Sequence, residues 1–119
     1  MKRTLEESSL SIMTPYRCMR SILFFDLPVE KAAQRRAYSK FVKNLKKSGF
    51  SMLQESVYIK LDMDPQSADS TKEKVKKILP KEGFIAVLRI TEKQFSTMDF
   101  LLGDNNSDVL MDDKRVVEL

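Results

Sequence analysis

The stretch RSILFFDL, residues 20 to 27, constrains the fold more than any other part of the chain. It is short, apolar and aromatic, and it stops before Pro28, which marks it as a β-strand. Side chains alternate across a strand, so Ile22 and Phe24 lie on one face and Leu23, Phe25 and Leu27 on the other. A strand apolar on both faces has to be covered on both. The chain has 119 residues, enough for one domain with one core. The strand is therefore expected near the middle of a sheet that carries helices on one side and a second partner on the other.

The remaining elements follow from periodicity and from turn formers. Pro28 suits a helix start, and a helix is expected over residues 29 to 48. Within it Tyr38, Phe41, Val42 and Leu45 recur at the helical spacing, and Gly49 stops it as a left-handed cap. FSMLQ and SVYIKL, residues 50 to 54 and 56 to 61, read as two strands with a tight break at Glu55. DMDPQSADS reads as a loop. A second helix is expected from about Ala68 to Leu79, ended by Pro80. FIAVLRIT, residues 84 to 91, is a strand, and FSTMDFLL, residues 95 to 102, is ambiguous between strand and helix. A turn at GDNNSD leads to a final short strand over Arg115 to Leu119. Residues 1 to 15 read as a flexible extension, with Met13 and Met19 as alternative starts; 16 to 119 form one domain, with a C-terminal extension from about 103.

The order is β-α-β-β-α-β, an α+β class with the ferredoxin-like split pattern plus an extra C-terminal strand. Such a sheet has helices on one face only. The other would expose Phe24 and its neighbours, and large open apolar patches are interaction sites. A two-fold homodimer is the expected cover, with the C-terminal extension as the alternative.

Charge is segregated rather than merely positive. The formal net charge is only +4, yet residues 30 to 48 hold seven basic side chains against Glu30 alone. Arg36, Lys40, Lys43 and Lys47 form one stripe opposite the apolar one, with Arg35 and Lys46 at its flanks; Lys72, Lys74, Lys76 and Lys77 add to it from the second helix. From Asp99 onward the chain is acidic, with six carboxylates against Lys114 and Arg115. A helix must show a polar face to water in any case. A face of one sign, however, suits a polyanion, because each neutralised phosphate releases counterions. Lysines position a backbone and carry little sequence information. An RNA-recognition module shares the element order, and Gly83 and Phe84 stand where its signature begins, but the second glycine and later aromatics are missing.

With no histidine, Ser-His-Asp, Cys-His and histidine-metal centres cannot exist, and three glycines build no glycine-rich phosphate loop. Cys18 is the only cysteine, which fits a reducing, cytoplasmic setting. No apolar run approaches the ~20 residues of a membrane span. Metal chemistry would have to use carboxylates, which points to Mg²⁺. Asp26 is the candidate ligand. It could equally cap the next helix or close an Asx turn. One carboxylate makes a poor Mg²⁺ site, but two copies of Asp26 facing each other across a dimer axis, completed by a bound phosphate, would not.

FFDLPVEKAAQRRAYSKF, LKKSGFSMLQESVYIKL and LRITEKQFSTMDFLLG, in this order and spacing, closely resemble the CRISPR-associated protein 2 family, most of all the versions found with type II systems. The resemblance covers residues 16 to 119. It implies a ferredoxin-like homodimer in which the last strand crosses to the partner's sheet, a role open to Arg115, Val116, Val117 and Leu119. It implies membership of the spacer-acquisition complex, where the dimer sits between two dimers of the CRISPR integrase and holds a DNA duplex, the prespacer. It matches Asp26 to the family's strand-end Mg²⁺ ligand and implies a catalytic role for the same carboxylate. It matches Lys31, Arg35 and Arg36 to the family's basic residues, and Phe50 to the aromatic that opens its second strand, at the dimer or partner interface with Phe24. Two functions share these parts: a DNA-holding scaffold, expected as the main role, and a Mg²⁺-dependent nuclease. A toxin-type ribonuclease acting without an integrase is the more distant alternative.

Overall fold

The computed structural model describes residues 18–103; the expected extension at residues 1 to 15 and the strand at Arg115 to Leu119 lie outside them. Four strands form one antiparallel sheet in the order β2-β3-β1-β4. They are β1 (Met19–Asp26), β2 (Ser51–Gln54), β3 (Val57–Asp62) and β4 (Phe84–Thr91). Helix α1 (Ala32–Lys47) follows β1, α2 (Pro65–Lys76) follows β3, and the single turn α3 (Glu92–Phe95) follows β4. This is the ferredoxin-like arrangement, with β1 at the centre as its two apolar faces require.

One face of the sheet meets α1 and α2 over a core of Leu23, Phe25, Leu27, Phe41, Leu45, Phe50, Tyr58 and Val75. Phe25 organises it, with its ring edge-on to Phe41 at 5.4 Å and to Tyr38 at 5.8 Å. Burial, and secondarily the nearby Tyr38, pushes the Tyr58 hydroxyl above its ordinary pKa. At the far end of this layer the fully buried Asp62 carboxylate accepts hydrogen bonds from Ser21 Oγ (2.8 Å), Thr71 Oγ1 (2.7 Å) and Lys60 Nζ (2.6 Å). A buried carboxylate costs several kcal/mol unless its lone pairs are filled. Here they are filled by groups from β1, β3 and α2, so the network pins α2 to the sheet.

Among the described residues the opposite face is covered at one end only. Phe95 of α3 packs on Ile22 and Ile59. The turn is held there by Arg20, whose Nε and Nη2 bind the two carboxylate oxygens of Glu92 at 2.6 and 2.9 Å while its guanidinium sits 4.6 Å over the Phe95 ring. Burial, chiefly, and the Glu92 carboxylate push the Cys18 thiol above its ordinary pKa. The expectation of helices on one face alone is thus corrected: α3 occupies part of the other. The rest stays apolar and open. Phe24 is 43% exposed, Leu88 50% and Phe84 80%, and the register places all three on that face together with Asp26.

Two helix boundaries differ from expectation. α1 begins at Ala32, not at Val29, and α2 spans Pro65–Lys76, not Ala68 to Leu79. The turn formers of the 62–70 stretch are the start of α2: Asp64 Oδ1 accepts from the Ser67 amide at 2.8 Å, and Pro65 takes the first position, where its missing N–H costs nothing.

Candidate nucleic-acid interface

The side chains that could meet a polyanion stand on α1. Its buried stripe, Phe41 and Leu45 with half-buried Tyr38 and Val42, fixes the rotation of the helix, so Arg36, Lys40, Lys43 and Lys47 point outward and are exposed. None of these four has a hydrogen-bond or ion-pair partner among the described residues. They were expected to form one stripe, and the structure brings them together on one face. Lys46 and Lys47 also lie at the helix C-terminus, where the backbone carbonyls favour positive charge.

Arg35 behaves differently. Its Nη1 donates to the carbonyls of Val29 (3.0 Å) and Glu30 (2.8 Å), so it braces the β1–α1 loop. Lys31 is exposed and forms the N-cap of α1, with its amide donating to Gln34 Oε1 at 2.9 Å. Gln34 in turn donates from Nε2 to Glu82 at 3.2 Å, tying the loop to the segment before β4.

Asp26 is exposed at the end of β1, opposite Phe84. It does not cap α1, whose cap is Lys31, so the helix-capping reading is corrected. The strand end is held from behind by Gly83, at φ +108°. A Cβ there would lie 2.7 Å from the Asp26 carbonyl oxygen and 2.5 Å from Leu27 Cδ2. Only glycine allows that approach, and sequence reasoning weighed Gly83 solely as part of an RNA-binding signature. Among the described residues no group of three or more carboxylates or cysteines could hold a metal ion. A single Asp26 carboxylate fits Mg²⁺ only with a further donor and a phosphate.

Phe50, expected at an interface, is 3% exposed and belongs to its own chain's core. The reason is local. The Phe50 amide donates to the Leu45 carbonyl and the Gly49 amide to the Lys46 carbonyl, the Schellman pattern, in which the residue after the glycine folds back on the last helical turn. The Gly49 stop read from the sequence already carried that signal. Arg115, Val116, Val117 and Leu119 lie outside the described residues.

A ferredoxin-like sheet, a cationic helix face and an exposed strand-end carboxylate define a small α+β protein of the ferredoxin-like class that the sequence resemblance implied. The sequence model for CRISPR associated protein Cas2 matches residues 19–98. Proteins named CRISPR-associated endoribonuclease Cas2 align over most of the chain. That of Treponema denticola is 45% identical over 85% of this chain and the whole of its own length. That of Ligilactobacillus salivarius is 41% identical over the same shares, and that of Streptococcus mutans UA159 is 42% identical over 85% of this chain and 93% of its own length. The chain belongs to the Cas2 family of CRISPR-associated proteins.

Proposed function

We propose that the protein acts in CRISPR spacer acquisition as a homodimeric scaffold that holds a DNA duplex by its phosphates between CRISPR integrase subunits. The observation that carries this reading is the row of exposed, unpartnered cations on α1. Four like charges on one rigid face are unfavourable in a free protein and become favourable on a polyanion. The open face of the sheet supports the dimer. Phe24, Leu88 and Phe84 form a continuous apolar surface on β1 and β4, suited to a second copy of the same surface.

A nuclease is the second reading, favoured by the name endoribonuclease that the relatives carry and by the exposure of Asp26. Two copies of Asp26 brought together by packing of the open faces would supply the pair of carboxylates that Mg²⁺ and a substrate phosphate need; the metal would stabilise charge developing on phosphorus.

Integration of a short duplex into a repeat-bearing plasmid, with the cognate integrase, separates the two for wild type and Asp26→Ala. The scaffold reading expects the variant to integrate at the wild-type level. Lost integration in a variant that still dimerises and binds the integrase would overturn it in favour of the metal site.

A further inference from the structure

A pocket of about 450 Å³ opens between α1 and the α2–β4 connection, and the duplex-holding role leaves it unused. We infer that it takes a single unpaired nucleotide of a strand lying along the cationic face of α1. The inference rests on the nucleic-acid reading above and adds to it the form of the substrate.

The walls are apolar: Leu27 and Pro28 from the end of β1, Tyr38 and Phe41 from α1, Ile78 and Pro80 from the connection. A nucleobase needs such surfaces for its two faces, and an aromatic at one of them is the usual stacking platform. The Tyr38 ring is half-buried and steadied by its edge contact with Phe25, so it is already placed. Lys40, Lys77 and Lys81 line the same pocket, and none has an ion-pair partner among the described residues. The lining also holds Glu82, whose carboxylate accepts from Gln34 Nε2, so the three ammonium groups leave the lining net positive. A net positive, largely apolar slot matches a ligand that is flat and apolar at one end and anionic at the other.

A base also has an edge. The side-chain amide of Asn44, half-buried in the lining, has no hydrogen-bond partner among the described residues; its N–H can donate to adenine N7 while its oxygen accepts from adenine N6–H. Lys40 belongs both to the stripe and to the pocket, so the two surfaces are continuous. A base within a duplex is stacked and paired and cannot turn into a side pocket. The ligand is therefore an unpaired nucleotide, in an overhang or a single strand. A free nucleoside monophosphate has the same chemistry.

The test uses the full chain and a duplex bearing a short 3′ overhang with 2-aminopurine at one overhang position. Binding is read by anisotropy and base environment by 2-aminopurine fluorescence. A fluorescence change of at least two-fold on binding is expected. It should be lost in Ala37→Trp, which fills the pocket from an exposed helix position, and weakened in Lys81→Gln, while a blunt duplex binds all three proteins within about two-fold. Binding of the overhang duplex with no fluorescence change, or a change that persists in both variants, overturns the pocket and leaves the nucleic-acid reading standing. Absence of binding to any strand overturns both. Deoxyadenosine monophosphate, titrated separately, distinguishes the source: saturation below 1 mM on the order of ordinary metabolite sites points to the free nucleotide, which would overturn the strand-bound form.

Discussion

Removing Lys43 and Lys47 should change how duplex affinity responds to salt, by an amount that follows from the geometry of α1. From Arg36 to Lys47 the helix rises about 16 Å at roughly 1.5 Å per residue. Phosphates along one strand are spaced about 3.4 Å apart in axial rise, so this length faces about five of them. The stripe presents four cations, Arg36, Lys40, Lys43 and Lys47, all exposed. With about four phosphates neutralised per engaged protomer, log affinity falls against log salt with a slope of about −3.6, and affinity drops about 150-fold between roughly 50 and 200 mM salt. Lys43→Gln/Lys47→Gln halves the number of contacts. The slope should become about −1.8 and the drop about 12-fold, equally for unrelated sequences. Fluorescence anisotropy of a labelled duplex across a salt series measures it. Arg35→Gln is the internal contrast, because its Nη1 is already donated to the Val29 and Glu30 carbonyls, and it should shift the slope less than Arg36→Gln. An unchanged slope in the double lysine variant with an unchanged fold would remove α1 from the interface.

Two further outcomes concern the supports of the site. Glu92→Gln removes the charge from the carboxylate that the buried Arg20 guanidinium holds with two hydrogen bonds and should cost about 3–5 kcal/mol in urea denaturation, whereas Arg20→Met/Glu92→Leu should recover much of that loss; a double variant no better than the single one would mean that the pair does more than satisfy itself. Gly83→Ala forces a Cβ against the Asp26 carbonyl at positive φ and should destabilise by about 1–3 kcal/mol, with the largest amide chemical-shift changes at residues 26 and 27. Shifts confined to residues 82 to 84 would show that Asp26 is positioned without it.

Much of the fold was legible in β1 and β4. The apolar run FIAVLRIT already marked β4 over Phe84–Thr91, and the opposite parities of RSILFFDL marked the two faces of β1. The tight break between the second and third strands was also legible; the structure turns there through Glu55 and Ser56, the latter at φ 68°. The start of α2 was misread because Asp64 and Pro65 serve turns and helix N-termini equally, and the choice depends on whether Ser67 turns its amide toward the carboxylate. The exposed lysines of α1 followed from the helical period. The division of labour between Arg35 and Arg36 did not, since it depends on which carbonyls the β1–α1 loop turns toward the helix.

The sequence by itself determined a central strand apolar on both faces, the helical stripe that packs on it and the one-signed face opposite that stripe, because each is a matter of spacing along a single element. Tertiary structure decided what those elements meet. α3 closes one end of the open face because Glu92 finds Arg20, seventy-two positions away in the chain. Asp62 is tolerated inside because Ser21, Lys60 and Thr71 converge on it from three elements. Gly83 sets the end of β1, and the pocket beside Tyr38 exists only where α1 and the α2–β4 connection stand apart. Local propensity selects an element one residue at a time, whereas the pairing of buried charges and the shape of a cavity depend on groups that only the folded chain brings within a few ångströms.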